Sequence, residues 1–211
     1  MRKSQSHADN EPKALATARW QRYDVAMSQN TRATYRHGNV RKEAISAAET
    51  LIAEVGHEKL SIRRVADQLG IAHRSLYNHF KDRDALLDAV ATNGYEALAG
   101  ELENVETAES FVEVYAHFSL KHSAIYTLMT SRPHGTMKEK PALQKAVHLV
   151  ITEAIRIFSD PAATTDIKKR SVFKIYMLLH GGLSLYQSGI LDMGSDQTFM
   201  GELIAMVEEA R

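Results

Sequence analysis

Apolar residues recur along this chain at the three-and-four spacing of a helix face, and no stretch alternates as a half-buried strand would. Ala44, Ala48, Leu51, Ile52 and Val55 share one face of a predicted helix over 39–55, with Asn39 placed to cap its start and Gly56 to end it. Ile62, Val65, Ala66 and Leu69 follow at i, i+3, i+4 and i+7 behind Ser61, a good N-cap. Gly70 then suits the left-handed turn that stops a helix. A short third helix, 72–79, is anchored by Ile71, Leu76 and Phe80, and Asp82 caps a fourth. Leu86, Leu87, Val90, Leu98 and Leu102 carry that fourth stripe to about residue 103. Further helices are predicted near 107–121, 122–131, 138–159, 167–189 and 196–210, with Pro133, Pro141, Pro161, Gly135 and Gly194 at the joints or helix starts. The fold class is all-α.

Two short helices back to back need a reason, because helix nucleation is costly and few backbone bonds repay it. Helix 61–69, a turn at Gly70–Ile71 and helix 72–79 make a helix-turn-helix, with small Ala66 at the crossing and Leu76 locking the second helix. In such a unit the second helix enters the DNA major groove. With Ile71, Leu76 and Phe80 inward, His73, Arg74, Tyr77 and Asn78 face out, with Ser75 between. Arg grips guanine with two bonds and Asn does the same for adenine, each worth roughly 1–3 kcal/mol of discrimination. Tyr77, His79 and Arg83 stand where phosphates pass, and Arg63 is a further candidate for base or phosphate. The plain alternative is a solvated polar surface.

The charge distribution favours the nucleic-acid reading. A net charge of zero divides into 15 Lys+Arg against 10 Asp+Glu over residues 1–84 and 11 against 16 over 85–211. The basic part, with its arm "TRATYRHGNVRK", is the part suited to a polyanion. There is no cysteine, which excludes disulfides, thiolate metal sites and thiol nucleophiles. The longest charge-free run, Ile175–Leu191, is 17 residues and too polar for a membrane span, and "MRKSQSHADNEP" lacks the apolar core of a signal peptide. A cytoplasmic protein is expected. Residues 1–34 are expected to form a flexible tail, within which Met27 begins a shorter reading frame.

"SIRRVADQLGIAHRSLYNHFKDRDALL" resembles the N-terminal DNA-binding domain of TetR-type transcriptional regulators. The resemblance covers about residues 35–90, and its most specific part is the run Ser75–Arg83 followed by Ala85-Leu86-Leu87. "YRHGNVRKEAISAAETLIAEVG" resembles the arm and first helix of one subgroup of that family. Three positions depart from the usual pattern. Arg83 replaces a Lys and keeps its charge, Ala72 occupies the Ser/Thr cap position of the recognition helix, and Arg74 stands where a small residue is common. A missing cap costs about 1 kcal/mol.

The C-terminal stretches "FVEVYAHFSLKHSAIYTLMTS" and "YMLLHGGLSLYQSGIL" resemble the WHG-type C-terminal domain of some TetR regulators, whose His-Gly pair matches His180-Gly181. This implies a helical ligand-binding and dimerisation domain over 85–211, behind a helix-turn-helix domain over 35–84. Tyr115, Phe118, Tyr126, Met129, Tyr176, Met177 and His180 mix apolar surface with polar tips and are the candidate effector-binding residues, although such residues at helical spacing are more often plain core. Ile175, Leu178, Leu179, Leu183 and Leu185, with Phe199, Leu203, Ile204, Met206 and Val207, offer apolar faces for a homodimer or for burial within the subunit.

Glu54-x-x-His57 has a metal-ligand spacing but straddles Gly56, and no nucleophile elbow or phosphate-cradling glycine loop occurs. No metal, cofactor or enzymatic activity is expected. The expected function is a ligand-responsive regulator that binds double-stranded DNA, by family default a repressor released from a palindromic operator by a small-molecule effector. An all-α enzyme with an incidental helix-turn-helix is the alternative.

Overall fold

The stripe that starts at Ala44 becomes the buried side of α1 (Val40–Val55), where Ala44, Ala48 and Ile52 are fully enclosed. The computed structural model describes residues 39–211; the predicted tail, Met27 and most of the basic arm lie outside the described residues. Gly56, at φ 81°, turns the chain into a single 3-10 turn over His57–Lys59. In α2 (Ile62–Leu69), Ser61 Oγ accepts the Arg64 amide at 3.2 Å. Gly70, at φ 67°, closes its other end: the Ile71 amide donates to Ala66 and the Gly70 amide to Asp67. These two bonds form a Schellman stop, which lets α3 (His73–Tyr77) start within three residues.

The helix α3 is only five residues long, and Ala72 at its start gives no side-chain cap. Its single enclosed side chain is Leu76, with Phe80 just beyond, and the Arg41 guanidinium of α1 lies 5.1 Å from the Phe80 ring centre. After Asp82, whose carboxylate accepts the Ala85 amide at 2.7 Å, α4 (Arg83–Leu102) runs for 20 residues. Leu86, Leu87, Val90, Leu98 and Leu102 are buried as expected, but so are Ala91, Gly94, Tyr95 and Ala99, so α4 is covered on most sides, with Asp84 and Glu96 left exposed.

The covering helices are α5 (Ala108–Lys121), α6 (Ser123–Ser131) and α7 (Pro141–Phe158), and α8 (Thr165–Gln187) and α9 (Asp196–Glu209) pack over α5. Gly94 marks the tightest approach: a Cβ there would sit 2.6 Å from Met129 Sδ of α6. A similar fit holds α8 to α9, where a Cβ on Gly182 would lie 3.1 Å from Leu203. Tyr186 stacks on Phe199 at 4.1 Å between ring centres and donates to Asp196 at 2.6 Å. The predicted helices are all present, with ends displaced by up to three residues. The largest displacement is at 138–140, where residues His134–Glu139 form a 3-10 turn and Pro141 opens α7.

Among the described residues there is no strand, and no helix is long and apolar enough to cross a membrane. Residues 41–211 form one unit, α4 running from the helix-turn-helix into the larger helical part. Ile175, Leu179, Leu183, Phe199, Leu203 and Val207, candidates for an intersubunit face, are instead buried within the subunit. The apolar side chains that α8 and α9 leave exposed are Ile167, Phe173, Met177, Leu185 and Met206.

The uncapped start of α3 leaves room for gain. Ala72 has an extended backbone, φ −63° and ψ 128°, which suits a hydroxyl cap. Ala72→Ser is expected to stabilise the protein by about 0.5–1 kcal/mol, read as a higher midpoint in chemical denaturation. An unchanged or lower midpoint would mean the cap cannot form there.

Candidate nucleic-acid interface and effector cavity

The Schellman turn and Leu76 decide which way α3 faces. His73, Arg74, Asn78 and His79 are exposed, Tyr77 is 52% exposed despite its aromatic ring, and Ser75 is half-buried. Arg63 is exposed on the first turn of α2. Seven of the eight candidates therefore lie on or beside one short helix pair, all but Ser75 open to solvent. Arg83 differs. Its Nε donates to the Leu60 carbonyl at 2.8 Å, and its Nη2 donates to His57 at 2.6 Å and to Glu58 at 3.1 Å. The guanidinium expected to meet phosphate is taken up by the turn before α2, where the Leu60 and Glu58 carbonyls take it alongside that of His57, which also accepts the Leu60 amide.

The start of α4 is tied to α6 as well. Arg132, just past α6, donates to Asp88 at 2.8 Å and to Asp84 at 3.4 Å, and Lys140 reaches Asp88 at 2.8 Å. The Arg132 side chain is only 10% exposed, so this cluster is partly desolvated. At the other end of α4, Arg156 of α7 donates to the carbonyls of Val105 and Leu102 at 2.7 and 3.3 Å.

A cavity of about 290 Å³ lies among α4, α5, α7 and α8. Tyr95, Phe111 and Tyr115 form one side, Val150, Ile151 and Ile155 of α7 a second, and Val172, Phe173 and Tyr176 of α8 a third, with Lys169 also lining it. Of the seven expected effector residues, only Tyr115 and Tyr176 line this cavity. Tyr126 and His180 adjoin it: Tyr126 Oη lies 3.1 Å from His180 Nδ1 and 3.4 Å from Tyr115 Oη, and His180 stacks on Tyr176. Phe118 and Met129 are core, enclosed by neighbouring helices, and Met177 is 52% exposed, pointing away from the interior. Sequence reasoning missed Tyr95 and the α7 wall. Tyr95 sits on the α4 stripe one turn before Leu98, which is the signal that could have found it.

Burial holds the Tyr115 phenol well above the ordinary tyrosine range, and Tyr95 likewise. It pushes Tyr126 up to about 12 and raises Tyr176. Tyr95 donates to the Met129 carbonyl at 3.1 Å. A wider, more open groove of about 630 Å³ runs between α5 and α9, with Glu113, His117 and Asp196 on its walls. Among the described residues no group of three or more His, Asp and Glu is placed to hold a metal ion, and His57 pairs with Glu58 rather than Glu54.

Burial also lowers the pKa of His180 below its ordinary 6.5. The unfolded chain then takes up this proton more readily than the folded one, so the contribution is present above 6.5 and is lost as pH falls toward the folded-state value. The melting temperature is expected to fall more between about pH 7.5 and about pH 5.5 in the native protein than in His180→Gln. Parallel curves would remove His180 as a titrating group.

Residues 44–90 match the family model for bacterial regulatory proteins of the tetR family. Over 51 residues, 24% of this chain and 23% of the relative, the sequence is 47% identical to the tetracycline repressor protein class C of Escherichia coli. Over 109 residues, 47% of this chain and 53% of the relative, it is 28% identical to the HTH-type transcriptional repressor KstR2 of Rhodococcus jostii. The matched stretches thus span about a quarter and about half of these curated relatives. A TetR transcriptional regulator from Rhodococcus sp. RHA1 has the same fold, with a TM-score of 0.62 at 14% identity over 83% of this chain and 97% of that one. The family match ends at residue 90, so the WHG-type likeness of the C-terminal part rests on its residues alone. Residues 44–90 are thus similar to a tetR-family DNA-binding domain, and the described helices share the fold of that solved regulator.

Proposed function

We propose that the chain is a ligand-responsive transcriptional regulator, a repressor that binds double-stranded DNA as a homodimer and leaves its operator when a small molecule enters the cavity. Residues 35–84 carry the DNA contact and 85–211 the ligand and dimer contacts. The observation that carries this reading is the exposure of His73, Arg74, Tyr77 and Asn78 on a helix whose opposite side is fixed by Leu76. Arg74 and Asn78 read base edges, Tyr77, His79 and Arg63 hold phosphate or base, and Ser75 is a lesser contact. Arg83 serves this surface indirectly, by holding the turn at His57–Leu60.

Coupling between the two parts follows the polar ties of α4. A ligand in the cavity touches Tyr95 and lies beside the Tyr115–Tyr126–His180 chain. Tyr95 bonds to α6 and Tyr126 belongs to it, and Arg132 just past the end of α6 grips Asp84 and Asp88 at the start of α4. A ligand that prefers one setting of α6 therefore biases the direction of α4 and the spacing of two recognition helices. It shifts that equilibrium only by its differential affinity for the two settings.

Genome-wide footprinting of the native protein identifies the operator on which these assignments are tested. Arg74→Ala is expected to lose about 1–3 kcal/mol of operator affinity and to relax the preference at one base pair, and Tyr77→Ala to weaken binding more evenly across sequences. Native binding to random DNA should weaken steeply with salt. Operator affinities equal to the native protein's in both variants would end the recognition-helix assignment.

The dimer reading rests on the apolar side chains exposed along α8 and α9. Met177 and Met206, 52% and 49% exposed, are replaceable without disturbing the interior. The double variant Met177→Glu, Met206→Glu is expected to sediment as a monomer at concentrations where the native protein is a dimer. A dimer of undiminished stability would move the interface elsewhere.

A further inference from the structure

The chemistry of the cavity lining narrows what it takes. Among the described residues its walls are aliphatic and aromatic, they include no carboxylate, and Lys169 is the one charged side chain. The polar tips deeper in are largely committed to the protein: Tyr95 donates to the Met129 carbonyl, and Tyr115, Tyr126 and His180 bond in a chain. Sugars and other polyols would find few free partners there.

Lys169 is exposed, and no carboxylate pairs with it among the described residues. It sits in the run Lys168-Lys169-Arg170, with Lys174 one turn further on and Asp166 the single acid in that stretch of α8. On the facing helix, Glu153 and Arg156 neutralise each other at 2.7 Å. The entrance is therefore positive, a field that gathers anions and repels cations. Lys169, Phe173 and Tyr176 follow at i, i+4 and i+7 along one face of α8, so the apolar lining extends about 10 Å from the lysine. The volume lies near the lower end of the roughly 300–1,000 Å³ common for ligand cavities, which limits the occupant to a compact molecule.

We propose that the cavity binds a compact apolar or aromatic monocarboxylate, with its body along Val172, Phe173 and Tyr176 and its carboxylate at Lys169. The proposal rests on the effector-cavity reading above and adds to it the class of ligand. The charge pair stands at the entrance, where water screens it, so it selects the head group while the apolar walls supply most of the affinity.

Octanoate, 1-octanol and octylamine share a chain and differ in head group, and each is titrated calorimetrically into the full chain. Octanoate is expected to bind most tightly and octylamine least, and the lead of octanoate should shrink as salt rises. Lys169→Ala is expected to weaken octanoate two- to fivefold more than octanol, the range of an exposed ion pair. Octanol binding as tightly as octanoate, octylamine binding better, no octanoate binding, or a Lys169→Ala variant with the native head-group order would each overturn the carboxylate assignment. Val150→Trp, its fold checked by circular dichroism, separates this from the cavity reading. Loss of all three probes keeps the cavity as the site whichever head group wins, whereas native affinity for all three in the folded variant would remove the cavity and the proposal together.

Discussion

A helix of five residues such as α3 cannot hold its own direction, and the bonds of Arg83 to the carbonyls of Leu60, His57 and Glu58 are what the arrangement around it depends on. A cation in the first turn of a helix opposes the helix dipole. Here that cost is offset by three charge-assisted bonds, two of them to the Leu60 and Glu58 carbonyls and one shared with the Leu60 amide at the His57 carbonyl. The result is a fixed angle between the turn that launches α2 and the first residue of α4. The residues Leu76 and Phe80 lie between these points and close α3 against them. Loss of the guanidinium would leave the part-buried Leu60 carbonyl without its donor and unpin the turn at His57 and Glu58, so its effect on the neighbouring surface would come through geometry.

The same helix α4 carries three further ties, and each comes from a different element. Arg132 follows α6, Lys140 precedes α7, and Arg156 lies within α7. Two of these converge on Asp88, whose Oδ1 accepts from Arg132 while Lys140 reaches both of its oxygens. Removing that carboxylate would leave two cations facing each other in partly dry surroundings, a larger loss than that of any exposed ion pair in the molecule. Hydrophobic burial along α4 stabilises the helix without fixing its rotation or slide. The polar ties at its ends fix both, and they leave the middle, around Gly94 and Tyr95, as the place where α6 and the cavity bear on it.

Much of the fold was legible because it is written locally. Ser61 and Asp82 cap helices through their own side chains, Gly70 adopts the left-handed turn that its position demands, and Ala72 gives no cap because it has no oxygen. Periodicity also separated the inward Leu76 and Phe80 from the outward Arg74 and Tyr77. What could not be read was which surface meets which. Tyr115 and Phe118 lie three residues apart on α5 and look alike as candidates, yet one lines the cavity and the other is enclosed. The difference is made by α7, a helix far along the chain whose contribution is plain aliphatic side chains. Arg83 misled for the same reason: a basic residue beside a recognition helix predicts phosphate, and only the tertiary path of residues 57–60 reveals a closer set of acceptors.

The position of the aromatic cluster bears on how a ligand signal would travel. Tyr115, Tyr126 and His180 come from α5, α6 and α8, so their hydrogen bonds join three helices across the cavity edge rather than stiffen one. Such a chain has two settings available to it, because His180 Nδ1 either accepts from Tyr126 or donates to it according to the tautomer. With the Tyr126 phenol held protonated by burial and His180 held neutral, acceptance by Nδ1 gives the order in which Tyr115 donates to Tyr126 and Tyr126 to His180. An apolar occupant pressing on Tyr115 would disturb the far end of that order without exposing a charge. On the proposed reading the response would reach α6 as a small displacement, and the short, salt-bridged end of α6 at Arg132 is where α4 would feel it.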